Sequence, residues 1–153
     1  MAKTSKDSPT YSVLLADDSE NDRALIRDAL RSHPRLNLVG EARDGTEVIA
    51  YLNRSRTGQD PAKHPLPDLL LLDLRMPYKT GYEVLEWLQK QSFDKMLVVV
   101  LAGSNLPEDY EKSLALGAHA YYVKIPLREA RMEMIRSIET LLELARQGAR
   151  EAK

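Results

Sequence analysis

Short apolar runs alternate along the chain with longer segments in which apolar residues recur every three or four positions. A short apolar run predicts a buried strand, and the longer spacing predicts a helix with one apolar face. The predicted strands are Tyr11–Ala16, Leu36–Ala42, Leu69–Asp73, Met96–Leu101 and Ala118–Val123. The predicted helices cover residues 19–32, a segment around 48–52, a segment from 80 onward, 105–117 and 127–147.

Residues with strong preferences for helix ends support these boundaries. Ser19 is placed to cap the first helix, and Thr80 with Glu83 has the spacing of a capping box at the start of the third. The segment 105–108 is the predicted cap region of the fourth helix, which we expect to end at Gly117. The chain therefore alternates strand and helix from beginning to end.

The third and fourth predicted strands are apolar at nearly every position, which is typical of strands covered on both faces of a parallel sheet. Such alternation requires right-handed crossovers, so the pattern predicts an α/β fold, a single-domain three-layer sandwich with a parallel sheet between helices. We expect a flexible leader at 1–10, one domain at 11–147 and a frayed tail at 148–153. The polar stretch at 55–67 is interpreted as a surface excursion within that domain.

The composition excludes several classes of function. The 153 residues include 22 Lys and Arg against 23 Asp and Glu, a formal net charge of -1, so we expect no nucleic-acid partner. No cysteine is present, which rules out disulfides and thiolate metal sites. The polar N-terminus, and apolar runs far below the roughly 20 residues that span a bilayer, predict a cytoplasmic protein with no membrane partner.

The most informative polar residues follow the predicted strands. Asp17 and Asp18 follow the first strand. Asp73 ends the third strand and Lys124 follows the fifth. The carboxyl ends of parallel strands meet at one edge of the sheet, where folds of this kind bind ligands. Two carboxylates about 4 Å apart repel by about 4 kcal/mol at an effective dielectric near 20, so three of them need a cation.

This acidic edge is chemically suited to Mg²⁺ and phosphate. Oxygen-only ligands in an incomplete shell suit Mg²⁺, which accepts one or two carboxylates together with a phosphate. Lys124 adds a second positive charge at the same edge. A divalent ion, an ammonium and a carboxylate facing one point can hold a phosphoryl group, and one carboxylate can act as the nucleophile.

Three segments around this edge resemble a known family. They are LLADD at residues 14–18, LLDLRMPYKTGYEVL at 71–85 and GAHAYYVK at 117–124. Together they are similar to the receiver domain of two-component response regulators, and the resemblance covers residues 11–147. The polar excursion and the absence of an output domain from these residues are similar to the stand-alone receivers associated with bacterial phytochromes.

The resemblance implies a sheet of order 2-1-3-4-5 and a phosphoacceptor at Asp73. The phosphoryl group would come from the phosphohistidine of a histidine kinase or phosphotransfer protein. Mg²⁺ would be ligated by Asp18, Asp73 and the main-chain carbonyl of Arg75. The resemblance also implies that Asp17 acts on the metal largely through water and that Lys124 contacts the phosphoryl oxygens.

Four further positions are those that respond to phosphate in the family. Tyr121 falls on the switch-aromatic position, and Arg75 and Ser104 fall on two variable positions that tune the lifetime of the phosphate. Ala102 occupies the position of the switch hydroxyl and has no hydrogen-bond donor to offer. We expect its loss to weaken the coupling between the phosphate and Tyr121.

The loop after the fifth strand departs from the family in a second way. Lys124 is followed by Ile125 and then Pro126, whereas the family usually has proline directly after the lysine. A cis bond before a non-proline residue costs about 2.5–4 kcal/mol, so we do not expect one between Lys124 and Ile125. The sequence leaves the isomer of the Ile125–Pro126 bond open.

The last predicted helix has one long apolar stripe. Its members are Ala130, Met134, Ile138, Leu141 and Ala145, widened by Leu127, Ile135 and Leu142. We expect most of the stripe to pack on the sheet. Its distal leucines, Leu141, Leu142 and Leu144, either pack there too or meet a second copy, so this helix and the fifth strand form a candidate homodimer surface.

Four functions are conceivable for a sequence with these features. The leading hypothesis is a stand-alone receiver that is phosphorylated on an aspartate, signals by changed partner binding and turns over no metabolite. The alternative is an atypical receiver that acts as a constitutive interaction module, which Ala102 favours. A phosphatase is disfavoured because Arg75 stands where such sites commonly have a second acid. A flavodoxin-like nucleotide binder is disfavoured because Asp17 and Asp18 would repel its phosphate.

Overall fold

The computed structural model describes residues 9–58 and 60–151. The strands are β1 Tyr11–Ala16, β2 Leu36–Ala42, β3 Leu69–Leu72, β4 Leu97–Ala102 and β5 Ala120–Val123. The helices are α1 Glu20–Arg31, α2 Gly45–Thr57, α3 Gly81–Gln89, α4 Pro107–Ala115 and α5 Arg128–Glu151. Residues 1–8 of the predicted leader, Gln59 of the excursion and residues 152–153 of the predicted tail lie outside the described residues.

The five strands form one sheet in the order β2-β1-β3-β4-β5, and every neighbouring pair is parallel. The predicted three-layer α/β fold and its strand order are confirmed. The order reverses between β1 and β3, where Ala16 pairs with Leu72. This register places the residues that follow the two strands side by side at the carboxyl edge of the sheet.

The core has two halves, one on each face of the sheet. On one face α1 and α5 pack against alternate strand residues, and on the other face α2, α3 and α4 do so. β3 shows the division most clearly, since Leu69 and Leu71 belong to the first half and Leu70 and Leu72 to the second. All four leucines are fully buried, as predicted for a strand covered on both faces.

The predicted caps of α1 and α3 are confirmed, whereas the cap region predicted for α4 contains the helix start but no side-chain cap. The Ser19 hydroxyl accepts a hydrogen bond from the Asp22 amide, and Thr80 with Glu83 forms a complete capping box. α4 instead begins at Pro107 after Leu106, with no side-chain cap. Proline needs no cap for its own missing N–H, and its fixed φ already suits the first helical position.

The face that α5 turns to the sheet differs in part from the predicted stripe. Its buried apolar residues are Met134, Ile135, Ile138 and Leu142, while Leu144 and the preceding Leu127 are exposed. Leu142 therefore belongs to the core. The helix also runs to Glu151, past the predicted end at Gln147. Even so, none of the helices in the described part of the chain is long and apolar enough to cross a membrane.

Candidate functional site

Three aspartates meet at the carboxyl edge of β1 and β3. The Asp73 amide donates to the Ala16 carbonyl at 3.0 Å, which ties the end of β3 to the end of β1. Asp17 and Asp73 are each 4% exposed, whereas Asp18 faces solvent. One carboxylate oxygen from each of Asp17, Asp18 and Asp73 lies within 4.8 Å of the others. The fold thus brings together the three aspartates that the sequence singled out.

Lys124 extends from the end of β5 into the same place. Its main-chain amide donates to the Ala102 carbonyl at 2.8 Å, which fixes the start of its loop. Its ammonium Nζ lies 2.7 Å from Asp17 Oδ2, 2.9 Å from Asp22 Oδ2 and 3.4 Å from Asp73 Oδ2. We call Asp17, Asp18, Asp22, Asp73 and Lys124 the acidic pocket.

Burial and the crowding of carboxylates shift the pKa values of Asp73 and Lys124 in this pocket. Burial raises the pKa of Asp73 to about 6, and the nearby charge of Asp17 adds to the effect. Lys124 and the Leu74 amide, which donates to Asp73 Oδ1 at 2.9 Å, act in the opposite direction. Burial lowers the pKa of Lys124, but its hydrogen bonds to Asp17 and Asp22 outweigh burial and raise it above its usual value.

The donor set of the pocket fits a divalent cation. The pocket contains four carboxylates and a single ammonium, which contacts three of them, so negative charge remains uncompensated. Three of the carboxylates are close enough to share one ion, and all their donor atoms are hard oxygens. Oxygen ligands of this kind select Mg²⁺, Mn²⁺ or Ca²⁺ rather than a soft metal.

Sequence reasoning missed three residues that shape the pocket. Asp22, in the first turn of α1, shares the Lys124 ammonium with Asp17 and Asp73. Arg23 is buried and donates to the main-chain carbonyl of Asp17 at 2.6 Å. Gly81 lies against the Asp73 loop, where an added Cβ would be 2.2 Å from the Asp73 carbonyl oxygen. None of these contacts has a recognisable signal in the sequence.

A second polar cluster lies beyond the Asp73 loop and is centred on Asp109 in the first turn of α4. Arg75 donates to both Asp109 oxygens, at 3.0 and 2.8 Å. The Ser104 hydroxyl donates to Asp109 Oδ2 at 2.7 Å, and the Tyr82 hydroxyl donates to Oδ1. The Tyr121 hydroxyl donates to the Ser104 carbonyl at 2.7 Å. We call these five residues the Asp109 cluster.

The titration of the Asp109 cluster differs from that of the acidic pocket. The hydrogen bond from Tyr82 lowers the pKa of Asp109, with further contributions from Ser104 and Arg75. Burial, together with the same hydrogen bond to Asp109, raises the pKa of Tyr82 to about 12. The carboxylate of Asp109 is thus held ionised and the Tyr82 hydroxyl is held protonated.

The two expected departures from the family pattern are Ala102 and the loop around Ile125. Ala102 is buried at the last position of β4, where it pairs with Val123 and presents a methyl group. The described residues contain no cis peptide bond, so the bonds on both sides of Ile125 are trans. The Ile125–Pro126 bond, which the sequence left open, is therefore trans.

Comparison with known proteins agrees with this geometry. Residues 13–136 match the response regulator receiver domain. The response regulator Rcp1 of Synechocystis sp. is 31% identical over 133 residues, which cover 86% of this chain and 88% of that protein. A protein-glutamate methylesterase of Geobacillus kaustophilus is 34% identical, but the chain covers only 27% of its length. The likeness to that enzyme is therefore confined to one part of it.

Solved structures give the same result. The phosphorylated cyanobacterial phytochrome response regulator RcpA is 32% identical, with a TM-score of 0.73 over 85% of this chain and 91% of that one. The Mn²⁺-bound form of Rcp1 is 30% identical, with a TM-score of 0.70 over 85% and 92%. The sheet order, the aspartates at its edge and these matches all agree, and this chain belongs to the response regulator receiver domain family.

Proposed function

We propose that this chain is a stand-alone receiver that accepts a phosphoryl group on Asp73 from the phosphohistidine of a histidine kinase or phosphotransfer protein. The observation behind the proposal is the position of the Asp73 carboxylate, which is buried at a strand end 3.4 Å from the Lys124 ammonium. The likeness to RcpA, a phytochrome response regulator, favours a phytochrome-type kinase as the donor.

Each oxygen of Asp73 has its own role in the proposed reaction. The Leu74 amide holds Oδ1, so Oδ2, which faces Lys124, is the oxygen that attacks phosphorus. The bond from Oδ2 to phosphorus forms while the phosphorus–nitrogen bond of the phosphohistidine breaks, and the imidazole nitrogen leaves with the electron pair. Lys124 then contacts the transferred phosphoryl oxygens.

We place Mg²⁺ at Asp18, Asp73 and the main-chain carbonyl of Arg75, with Asp17 acting through water. Bound there, Mg²⁺ neutralises charge on the phosphoryl oxygens. The chain's own contribution is to keep Asp73 ionised and oriented although burial raises its pKa to about 6. Lys124 and the Leu74 amide do this by favouring the carboxylate over the acid.

The test is the intact mass of the protein after incubation with acetyl phosphate and Mg²⁺. We expect the wild type to gain one phosphoryl group and Asp73→Asn to gain none, because the nucleophilic oxygen is lost. Asp94→Asn is a matched control, since Asp94 is exposed at the opposite end of the sheet and should behave like the wild type. Equal labelling of Asp73→Asn and the wild type would contradict the assignment.

One observation favours a second function, that of a constitutive interaction module. Ala102 offers no hydroxyl to a phosphoryl group, and the Tyr121 hydroxyl is already bonded to Ser104. NMR spectra with and without beryllofluoride, a mimic of the phosphoryl group, separate the two functions. Shifts that reach Tyr121 support the phosphorylated switch, and shifts limited to the surroundings of Asp73 support the constitutive module.

A homodimer through β5 and the distal part of α5 is part of the same proposal. Leu144 is 58% exposed on α5 and is available for such a contact, whereas Leu142 is buried in the core. We expect Leu144→Gln to shift the protein toward monomer in sedimentation experiments. A wild-type chain that is already monomeric at high concentration would contradict the dimer.

A further inference from the structure

The Asp109 cluster connects the phosphoacceptor loop to β5 by a path that does not use residue 102. Arg75 lies two residues after Asp73 in the same loop, and its guanidinium is bound to Asp109. Asp109 accepts the Ser104 hydroxyl, and the Ser104 carbonyl accepts the Tyr121 hydroxyl. The path therefore begins beside Asp73 and ends on Tyr121.

The two partners of the ion pair in this path, Asp109 and Arg75, differ in how firmly they are held. Asp109 is 5% exposed and accepts from side chains of three separate segments of the chain, so its position is firmly set. The Arg75 side chain is 67% exposed, and Asp109 is its only ion-pair partner among the described residues. An ion pair whose guanidinium is in water is weak, about 0.2–1 kcal/mol in general, and Asp109 keeps two hydroxyl donors when the guanidinium leaves. The guanidinium can therefore exchange partners readily.

A phosphoryl group on Asp73 would add a second anion within the same loop. A guanidinium matches phosphate oxygens with two parallel N–H donors, and phosphate has more negative charge than one carboxylate. We propose that Arg75 is the residue that senses the phosphate: its guanidinium leaves Asp109 for the phosphoryl oxygens, and the freed Asp109 cluster changes the setting of Ser104 and Tyr121. This inference rests on the phosphorylation of Asp73 proposed above.

Arg75 and Asp109 should have opposite effects on the stability of the phosphorylated state. Asp109 competes for Arg75, so removing its charge should favour the phosphorylated state, whereas removing the guanidinium should disfavour it. Removing both should have the effect of removing Arg75 alone, because Asp109 then has nothing to withhold. A merely structural role for the cluster would make all three variants worse.

The test is the apparent affinity for beryllofluoride in the presence of Mg²⁺, followed by NMR. We expect Asp109→Asn to bind beryllofluoride roughly threefold more tightly than the wild type, and Arg75→Gln to bind it roughly threefold more weakly. Changes of this size are those expected when an ion pair with a solvated guanidinium is lost or gained. The double variant should match Arg75→Gln. Arg43→Gln is a matched control, because Arg43 is similarly exposed and pairs with Glu47 away from the cluster.

A second readout follows the Tyr121 ring resonances in the same titrations. They should move with the Arg75 Nε–H signal in the wild type and stay nearly still in Arg75→Gln. Unchanged affinity in Asp109→Asn, or a full Tyr121 response in Arg75→Gln, would overturn the inference. If Asp109→Asn does not fold, Arg75→Gln decides the matter alone, since its side chain is exposed. Absence of phosphoryl gain by wild type in the mass experiment would instead refute the proposed function itself.

Discussion

The acidic pocket and the Asp109 cluster lie on either side of one loop and have opposite charge balances. In the pocket a single ammonium serves several carboxylates, and negative charge is left over. In the cluster a single carboxylate is served by a guanidinium and two hydroxyls. The pocket is therefore incomplete without a cation, whereas the cluster is satisfied by the chain itself.

The difference in charge balance separates a pocket that can bind a cation from a cluster whose charges are already paired. Uncompensated buried charge is costly, and a divalent ion or a phosphoryl group with its ion relieves that cost. A satisfied cluster gains nothing from a ligand and changes only when one of its own partners leaves. Arg75 is the partner that stands closest to the pocket along the chain.

The largest expected effect comes from disturbing the loop that the two regions share. Gly81→Ala would push a Cβ to 2.2 Å from the Asp73 carbonyl oxygen and 2.8 Å from the Leu74 Cα, and backbone cannot move aside cheaply. We expect it to lower the free energy of unfolding by about 3 kcal/mol. Gly103→Ala is the control, because nothing lies within 4 Å of its added Cβ. Urea denaturation measures both, and equal stabilities would contradict the contact.

The two regions should also respond to pH with opposite signs. The folded protein holds a proton on Asp73 more tightly than the unfolded chain, since the pKa rises from 3.8 to about 6. Its contribution to stability is present below about pH 4 and is lost as the pH rises through about 6, a change of about 2–3 kcal/mol without metal. Asp109, whose pKa is lowered, contributes stability above its usual pKa and loses it as the pH falls.

Difference profiles isolate the two groups from the remaining titrations. Unfolding free energies of the wild type and Asp73→Asn should converge below about pH 4 in EDTA and diverge between about pH 4 and 6, with the variant more stable above that range. The corresponding profile for Asp109→Asn should show the variant less stable at neutral pH. Parallel curves for the wild type and Asp73→Asn would contradict the raised pKa of Asp73.

A smaller effect concerns competition for the pocket. The Lys124 ammonium lies 2.7 Å from Asp17 Oδ2 and 3.4 Å from Asp73 Oδ2, so it competes with a divalent ion for the same oxygens. We expect Lys124→Met to bind Mg²⁺ about tenfold more tightly by calorimetry, which is a change of about 1.4 kcal/mol. Lys112→Met, which removes an ammonium 4.3 Å from the Tyr82 ring centroid, should leave Mg²⁺ affinity unchanged. Weaker binding by Lys124→Met would show that Lys124 organises the pocket instead.

The smallest effect is expected within the satisfied cluster. Tyr82→Phe removes one of the donors to Asp109, and we expect it to lower the free energy of unfolding by about 1 kcal/mol. Tyr110→Phe is the matched control, because the Tyr110 hydroxyl has no hydrogen bond among the described residues. A loss in Tyr82→Phe no larger than in Tyr110→Phe would mean that the cluster does not depend on the Tyr82 hydroxyl.

Site residues that directly follow strands could be predicted from the sequence, and site residues in helices could not. Asp17, Asp73 and Lys124 stand directly after apolar runs, so a parallel sheet brings them to one edge whatever the loops do. Asp22 and Asp109 lie in helices, and their roles depend on how each helix is turned against the sheet. The α5 stripe was misassigned in part for the same reason, since adjacent faces of an apolar helix look alike in sequence.

Local periodicity and the direction of parallel strands suffice to predict the alternation of strands and helices, the parallel sheet and the acidic strand ends. The absence of a hydroxyl at Ala102 was equally plain. The folded structure is needed to show that Asp22 shares Lys124, that Gly81 touches the Asp73 loop and that Asp109 joins Arg75 to Ser104 and, through it, to Tyr121. These contacts depend on how helices and loops pack against the sheet, and no local preference of the chain selects them.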